Sequence, residues 1–236
     1  MARFVLLIEG NICAGKSEFV SYLDQHKDAF AEFLQEGEEV VNIPEFTDAK
    51  ALELFYHDRR QYTNVFEQSC LTGRQVRHMT AKEGKGIYIF DRGMIGGAET
   101  FARNSFQEGF STHSAYQRYL ADLKDGLDQL DRTRQESWLE QLVVYLRVPD
   151  VSVLQERQRQ RNTTGETIPA GYLDRLNQLY DRYILGSAEI YPEYGVRAPQ
   201  IIEIDAAVDF RQQTDYHPQI MEQITTKMKE MNIDKR

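Results

Sequence analysis

Residues 10–17 read Gly-Asn-Ile-Cys-Ala-Gly-Lys-Ser, a complete G-x-x-x-x-G-K-[ST] pattern. An apolar run, Phe4-Val5-Leu6-Leu7-Ile8, leads into it, and a helix-compatible stretch follows. Glycines let a chain turn tightly there, and the free N–H groups of the new helix point at an anion. Gly10, Asn11, Ile12, Cys13, Ala14 and Gly15 would wrap the phosphates of a nucleotide such as ATP. Lys16 would contact the β- and γ-phosphates, and the hydroxyl of Ser17 would hold Mg²⁺. The plainer reading is a glycine-containing turn before an ordinary helix. Placement directly after a buried-type strand favours phosphate.

Transfer of a phosphoryl group also needs a base near the acceptor hydroxyl, a metal, and cations around the moving group. Glu45, an isolated carboxylate after Asn42-Ile43-Pro44, suits the base. In Asp91-Arg92-Gly93, Arg92 is placed to steady Glu45 and the transferred group, and Asp91 to orient a metal-bound water. A surface ion pair is the alternative for these two. Residues 155–161 read Gln-Glu-Arg-Gln-Arg-Gln-Arg. Arg157, Arg159 and Arg161 cannot share one helical face, because residues two apart point in different directions. The segment reads either as a solvated helix or as an arginine-bearing lid over about 155–168. The lid would be helical to about 159 and then loop through Asn162-Thr163-Thr164-Gly165.

These groups need a frame that brings them to one edge. Short runs rich in β-branched and aromatic residues at 3–9, 38–43, 86–91, 141–147 and 200–205 read as strands buried in a parallel sheet. Helix-like stretches lie at about 15–36, 48–83, 113–137, 150–160 and 169–186, with a terminal helix after 210. Leu173, Leu176, Leu179, Tyr180, Tyr183 and Ile184 share one helical face. The alternation predicts an α/β fold with a five-stranded parallel sheet and helices on both faces. Ligands of such sheets bind at the carboxyl ends of the strands. The phosphate loop, Glu45, Asp91-Arg92, Arg147 to Asp150, and Asp205 all fall at those ends.

The 236 residues suit one domain, and no repeat or linker divides them. A net charge of −9 disfavours a nucleic-acid polymer as partner, since phosphate backbones need a basic face. No apolar run approaches a membrane span and no leader pattern opens the chain, so the expected location is the cytoplasm. Cys13 and Cys70, the two cysteines, are not expected to form a disulfide.

Taken in order, the motifs resemble those of the deoxynucleoside kinase family over nearly the whole chain. Ile8-Glu9-Gly10 through Ser17 resembles its phosphate loop, and Pro44-Glu45-Phe46 its P-E-P, whose glutamate takes the 5′-hydroxyl proton. Leu54-Phe55-Tyr56-His57-Asp58 resembles the stretch whose tyrosine binds the sugar 3′-hydroxyl. Phe66-Glu67-Gln68 lies where the family has a Phe-Gln that reads the base edge. Phe90-Asp91-Arg92-Gly93 is similar to E-R-S, Arg159-Gln160-Arg161-Asn162 to the lid's R-x-R-N, and Ile168-Pro169-Ala170-Gly171-Tyr172-Leu173 to I-P-L-E-Y-L. Ile204-Asp205-Ala206-Ala207-Val208-Asp209-Phe210 is similar to the segment near the donor's adenine, so Asp205, Ala206 and Phe210 join the ATP-binding set. The resemblance implies a P-loop kinase fold, ATP-dependent and Mg²⁺-dependent phosphorylation of a deoxynucleoside, and a homodimer paired through long helices such as 48–83 and 113–137.

The departures bear on the acceptor. Phe46 and Lys50 stand where the family has proline and usually tryptophan, so a wall of the nucleoside cleft must be rebuilt. Cys13 replaces a glycine but leaves Lys16 and Ser17 in register. Gln155 replaces a lid arginine, and Glu166 is the match to the lid glutamate that holds the 3′-hydroxyl. Either Glu67 or Gln68 takes the base-reading position. An amide both donates and accepts, whereas a carboxylate only accepts and favours an edge with two donors, such as that of guanine. Arg74 joins this acceptor set. The acid that usually partners it is replaced by Gly97, which leaves Arg74 free to pair with Glu67 two turns earlier. Two other readings stand beside this one. A monophosphate kinase related to thymidylate kinase would use Lys50, Arg59 and Arg60 on an acceptor phosphate. A non-catalytic nucleotide-binding subunit would have lost the lysine or the base, and both are present.

Overall fold

A computed structural model describes residues 2–45, 47–131, 141–161, 168–208, 213 and 215–233. Five parallel strands form one sheet in the order β2-β3-β1-β4-β5: β1 Ala2–Gly10, β2 Glu39–Ile43, β3 Gly86–Asp91, β4 Leu142–Arg147 and β5 Gln200–Asp205. Each lies within a residue or so of its expected span. Alternation along β1 sends Phe4, Leu6 and Ile8 into one hydrophobic cluster and Val5 and Leu7 into the other. Both faces of the sheet are therefore covered, as its continuous apolar strands require.

On the first face lie α1 (Lys16–Gln25), a 3₁₀ segment (Lys27–Phe33), and later α7 (Val151–Arg161) and α10 (Tyr216–Glu230), which contribute Phe19, Phe30, Leu154 and Ile224 to its core. The stretch 15–36 is not one helix. It stops at His26, whose ring stacks on Tyr22 at 4.0 Å and whose Nδ1 meets the Tyr22 carbonyl.

The stretch 48–83 divides at Asp58 into α2 (Ala49–His57) and α3 (Arg59–Glu83). Asp48 caps α2 by accepting from the N–H groups of Lys50 and Ala51, and Asp58 caps α3 by accepting from that of Gln61. Asp58 is extended, at φ −148° and ψ 94°. One residue thus ends a helix and begins the next at a new angle. α3 packs with α6 (His113–Asp131), α8 (Ala170–Leu185) and α9 (Ser187–Glu193) on the second face.

The chain between β3 and α6, which the sequence left without an element, is helical. It runs through α4 (Met94–Gly97), a π turn (Ala98–Ala102) and α5 (Arg103–Gln107). Gly93, Gly96 and Gly97 look like breakers in the sequence. In the fold, Gly96 and Gly97 sit where a Cβ would collide with the Glu9 carboxylate and the Arg74 guanidinium. Their smallness serves close packing.

Candidate active site

β1 delivers the chain at Gly10, with φ 153°, where a Cβ would lie 2.7 Å from the Leu146 carbonyl of β4. The loop turns and Gly15, at φ 97°, enters α1. Ile12 through Ser17 border a cavity of about 960 Å³ at the carboxyl edge of the sheet. Asn11 turns the other way: its amide donates to the Leu173 carbonyl and Asn177 of α8 and fastens the loop to that helix. Lys16 is buried, and its ammonium donates to the carbonyls of Gly10 and Asn11 at 2.9 and 3.0 Å. Burial, with the like charge of Arg92, lowers its pKa to about 8.

Cys13 takes φ 62°. That left-handed conformation costs a side-chain-bearing residue roughly 1–2 kcal/mol. Glycine would remove that cost but lose about 0.5–1 kcal/mol to its freer unfolded state. Cys13→Gly is expected to raise the melting temperature by about 1–3 °C, read by scanning calorimetry, with donor affinity unchanged. Cys13 and Cys70 form no disulfide.

Glu45, at the end of β2, is gripped from both sides. Its Oε1 accepts from Arg74 and its Oε2 from Arg92, each at 2.8 Å. Burial works to raise the Glu45 carboxyl, but Arg92 and Arg74 outweigh it and bring the pKa down to about 2. Arg92 has φ 64°, stacks on Phe101 at 4.3 Å and donates through Nε to Tyr180. The expected pairing of Arg74 with Glu67 is not formed. With no side chain at Gly97 in the way, Arg74 reaches Glu45, while Glu67 accepts from the Ser105 hydroxyl at 3.0 Å.

Asp91 is buried, and its Oδ1 has no partner among the described residues. It borders the same cavity as Ser17. A hard cation bound mainly through phosphates and waters needs one carboxylate and a hydroxyl, so these two residues fit Mg²⁺.

Two groups missed in the sequence hold this edge together. The Arg77 guanidinium donates to the carbonyls of Pro44, Asp91 and Arg92 at 2.9, 3.0 and 3.2 Å, clamping the ends of β2 and β3 together. Glu9 is fully buried, and its Oε1 accepts from the Gly93 N–H. Burial raises its carboxyl above the usual range against the pull of Arg92. The signal for Arg77 was its place three residues after Arg74, on the same side of α3. Arg77→Lys retains the charge but not the planar fork. With buried carbonyls left unmatched, it is expected to cost about 1–3 kcal/mol in denaturant unfolding.

The aromatic end of the cavity is lined by Phe55, Tyr56, Phe66, Phe101 and Tyr172. Arg59 lies 5.3, 4.1 and 5.1 Å from the rings of Phe55, Phe110 and Tyr172 and pairs with Glu108. Of this assembly, Phe55, Arg59 and Tyr172 border the cavity. Glu67 and Arg74 border the cavity; Gln68 borders a groove between α3 and α6, which Glu67 also lines. Arg157 and Arg161 border the cavity, and Arg157 also donates to the Val208 carbonyl at 2.8 Å. Arg159 is exposed and pairs with Glu156. Asp205 accepts from the Ala207 N–H, and the Ala206 N–H donates to the Arg147 carbonyl; neither side chain borders the cavity. Phe46, the loop 162–165, Glu166 and Phe210 lie outside the described residues.

The family model described as deoxynucleoside kinase matches residues 6–229. A protein of Invertebrate iridescent virus 3 named as a kinase is 28% identical over 189 residues, covering 80% of this chain and 86% of the relative. Mouse deoxycytidine kinase is 21% identical over 236 residues, covering 92% and 88%. Chicken deoxycytidine kinase 2 is 22% identical over 222 residues, covering 86% and 82%.

Proposed function

The chain belongs to the deoxynucleoside kinase family, and on that premise we propose that it transfers the γ-phosphoryl group of ATP to the 5′-hydroxyl of a deoxynucleoside. The carrying observation is the meeting of Lys16 and Ser17 with Glu45, Asp91 and Arg92 around one cavity with an aromatic far end. The loop and Lys16 hold the donor phosphates. Mg²⁺, held by Ser17 and Asp91, would neutralise charge on the phosphate oxygens. Glu45 is ionised at neutral pH and accepts the hydroxyl proton. A carboxylate this acidic is a weak base, which suits a loose transition state in which little bonding to the acceptor is needed early. Arg92 holds Glu45 and faces the group in flight. Arg157 and Arg161 take the phosphates, and Tyr56 meets the sugar.

The monophosphate-kinase reading has less support. Lys50 and Arg60 do not border the cavity, and Arg59 is engaged by Glu108 and the rings. Offering deoxynucleosides and their 5′-monophosphates as competing acceptors separates the two: turnover of the monophosphates alone would reject the proposal. A non-catalytic subunit is disfavoured by the intact Lys16–Glu45–Arg92 set, and would bind ATP without any turnover.

The pH profile follows from Lys16. Its charge is present below about pH 8 and lost above it. With nucleoside saturating, kcat/KM for ATP is expected to fall above about pH 8. Glu45, with its pKa brought down to about 2, contributes no acid limb between pH 4 and 7.

The same reading takes the chain as a homodimer paired through α3 and α6. Val65 and Val76 on α3 are 58% and 61% exposed and flank the groove that Gln68 borders. Sedimentation equilibrium is expected to show two chains, and one chain for the V65E/V76E double variant.

A further inference from the structure

Glu108, the residue after α5, gathers three elements on one carboxylate. Its Oε2 accepts from Arg59, the first residue of α3, at 3.1 Å and from the Asn104 amide of α5 at 2.9 Å. Its Oε1 accepts from Arg175 of α8. Asn104 is fully buried, and its Oδ1 accepts from Nε of the same arginine at 3.3 Å. Of these four residues, Arg59 borders the cavity and Glu108, Asn104 and Arg175 do not. We propose that Glu108 and Arg175 are a positioning pair for the acceptor site, acting through Arg59, whose guanidinium they hold against the rings that wall the nucleoside. The inference rests on the deoxynucleoside-kinase reading above.

The path from the pair to the cavity has two steps. The Arg59 guanidinium lies 5.3 Å from the Phe55 ring, 4.1 Å from Phe110 and 5.1 Å from Tyr172. Phe55 then stacks on Phe66 at 4.7 Å, with the ring planes 27° apart. Phe55 comes from α2, Phe66 from α3 and Tyr172 from α8, and all three border the cavity. These helices share no backbone hydrogen bonds at that point, so the cation is the joint between their rings. A desolvated guanidinium over aromatic faces is worth roughly 2- to 30-fold in an equilibrium constant. That energy is available only while the cation keeps its place.

Glu108 keeps it there for an electrostatic reason. Arg59 and Arg175 are two like charges sharing one carboxylate. Without that anion they repel each other, and the partner bound only to rings is the one free to swing. The reacting groups are held elsewhere: Lys16 by the Gly10 and Asn11 carbonyls, Glu45 by Arg74 and Arg92, and Arg92 by Tyr180. Loss of the pair therefore loosens the wall that receives the nucleoside and leaves the transfer step and the donor site as they were. A contact that served folding alone would not separate the two substrates in this way.

The test is a double-mutant cycle read in kcat, in KM for the best of the four natural deoxynucleosides and in KM for ATP. The variants are E108Q, R59M and R59M/E108Q, with R175M and R59M/R175M as a second cycle should E108Q fail to fold. E108Q and R175M are each expected to raise KM for the nucleoside by about 3- to 10-fold, with kcat and KM for ATP changed by less than about 2-fold. R59M is expected to do at least as much, and the double variants to be no worse than R59M, because the pair acts through Arg59. An unchanged nucleoside KM in both E108Q and R175M, a full additional effect in the R59M background, or an equal change in KM for ATP overturns the proposal. If no deoxynucleoside turns over, the kinase reading fails separately. The same cycles in calorimetric affinity for the four deoxynucleosides then decide the positioning role: a non-additive loss supports it, and an additive loss, no loss or no binding by the wild type overturns it.

Discussion

Glu45→Gln is expected to lower kcat by about 10²–10⁴, the scale of lost acid–base catalysis, while calorimetric affinity for the nucleoside changes little. Glutamine keeps the shape and one carbonyl oxygen but cannot take the hydroxyl proton. It also presents an amide N–H₂ to one of the two arginines that now hold the carboxylate at 2.8 Å. Two buried guanidinium groups then lose their anion, and removing one partner of such a group costs about 3 kcal/mol or less where part of the site is wet. Turnover must therefore be normalised to folded protein. The sign of the pH dependence gives a separate check. The Glu45 carboxyl titrates near 2 in the folded chain against 4.5 for the ordinary group. Its contribution to stability is present above pH 4.5 and disappears as pH falls toward 2. The variant should lose less stability over that interval than the wild type. An unchanged kcat would remove Glu45 from the role.

Lys16→Met is the second large effect, with kcat/KM for ATP falling by about 10²–10³ or more, as when one donor to a developing charge is deleted. Its ammonium lies over the carbonyls of Gly10 and Asn11 at the floor of the donor half. Methionine fills the space without charge, so stability should hold or rise, since a buried ammonium carries a desolvation cost. Nucleoside affinity, set at the aromatic end, should not move. The decline of kcat/KM above pH 8 should disappear with the lysine.

The sheet was legible because its strands are short runs rich in β-branched and aromatic residues that end in turn or charged residues. Ile8 pairs with Asp91 and with Val144, so the register itself lines up the phosphate loop, Asp91 and the end of β4. Glu45, Arg92 and Lys16 were legible for the same reason: they sit at strand ends, where the topology leaves little choice. Three things were not. Gly96 and Gly97 carry no helical signal in isolation, because their purpose is room for Glu9 and Arg74, which come from distant parts of the chain. Asp58 reads as one more polar residue in a long helical stretch until its extended backbone is seen to cap two helices. The partner of Arg74 depended on a gap at Gly97 that opens a path to Glu45, and helical spacing alone pointed to Glu67 instead.

The aromatic end shows the opposite balance. The family position of a tryptophan was empty in the sequence, with nothing to say what replaced it. In the fold Arg59 joins Phe55, Phe110 and Tyr172, three rings from separate segments. The choice between Glu67 and Gln68 turned on helix phase, which a one-residue slip reverses. With α3 beginning at Arg59, Glu67 lies between the cavity and the groove and borders both, while Gln68 borders only the groove between α3 and α6.

The most direct test of the central claim is transfer of label from γ-labelled ATP, with Mg²⁺, to the four natural deoxynucleosides and to a 2′,5′-dideoxynucleoside that lacks the acceptor hydroxyl. The account predicts a labelled 5′-monophosphate from at least one natural deoxynucleoside and none from the dideoxy analogue. Absence of label in every natural deoxynucleoside, or labelling of the analogue, would contradict it.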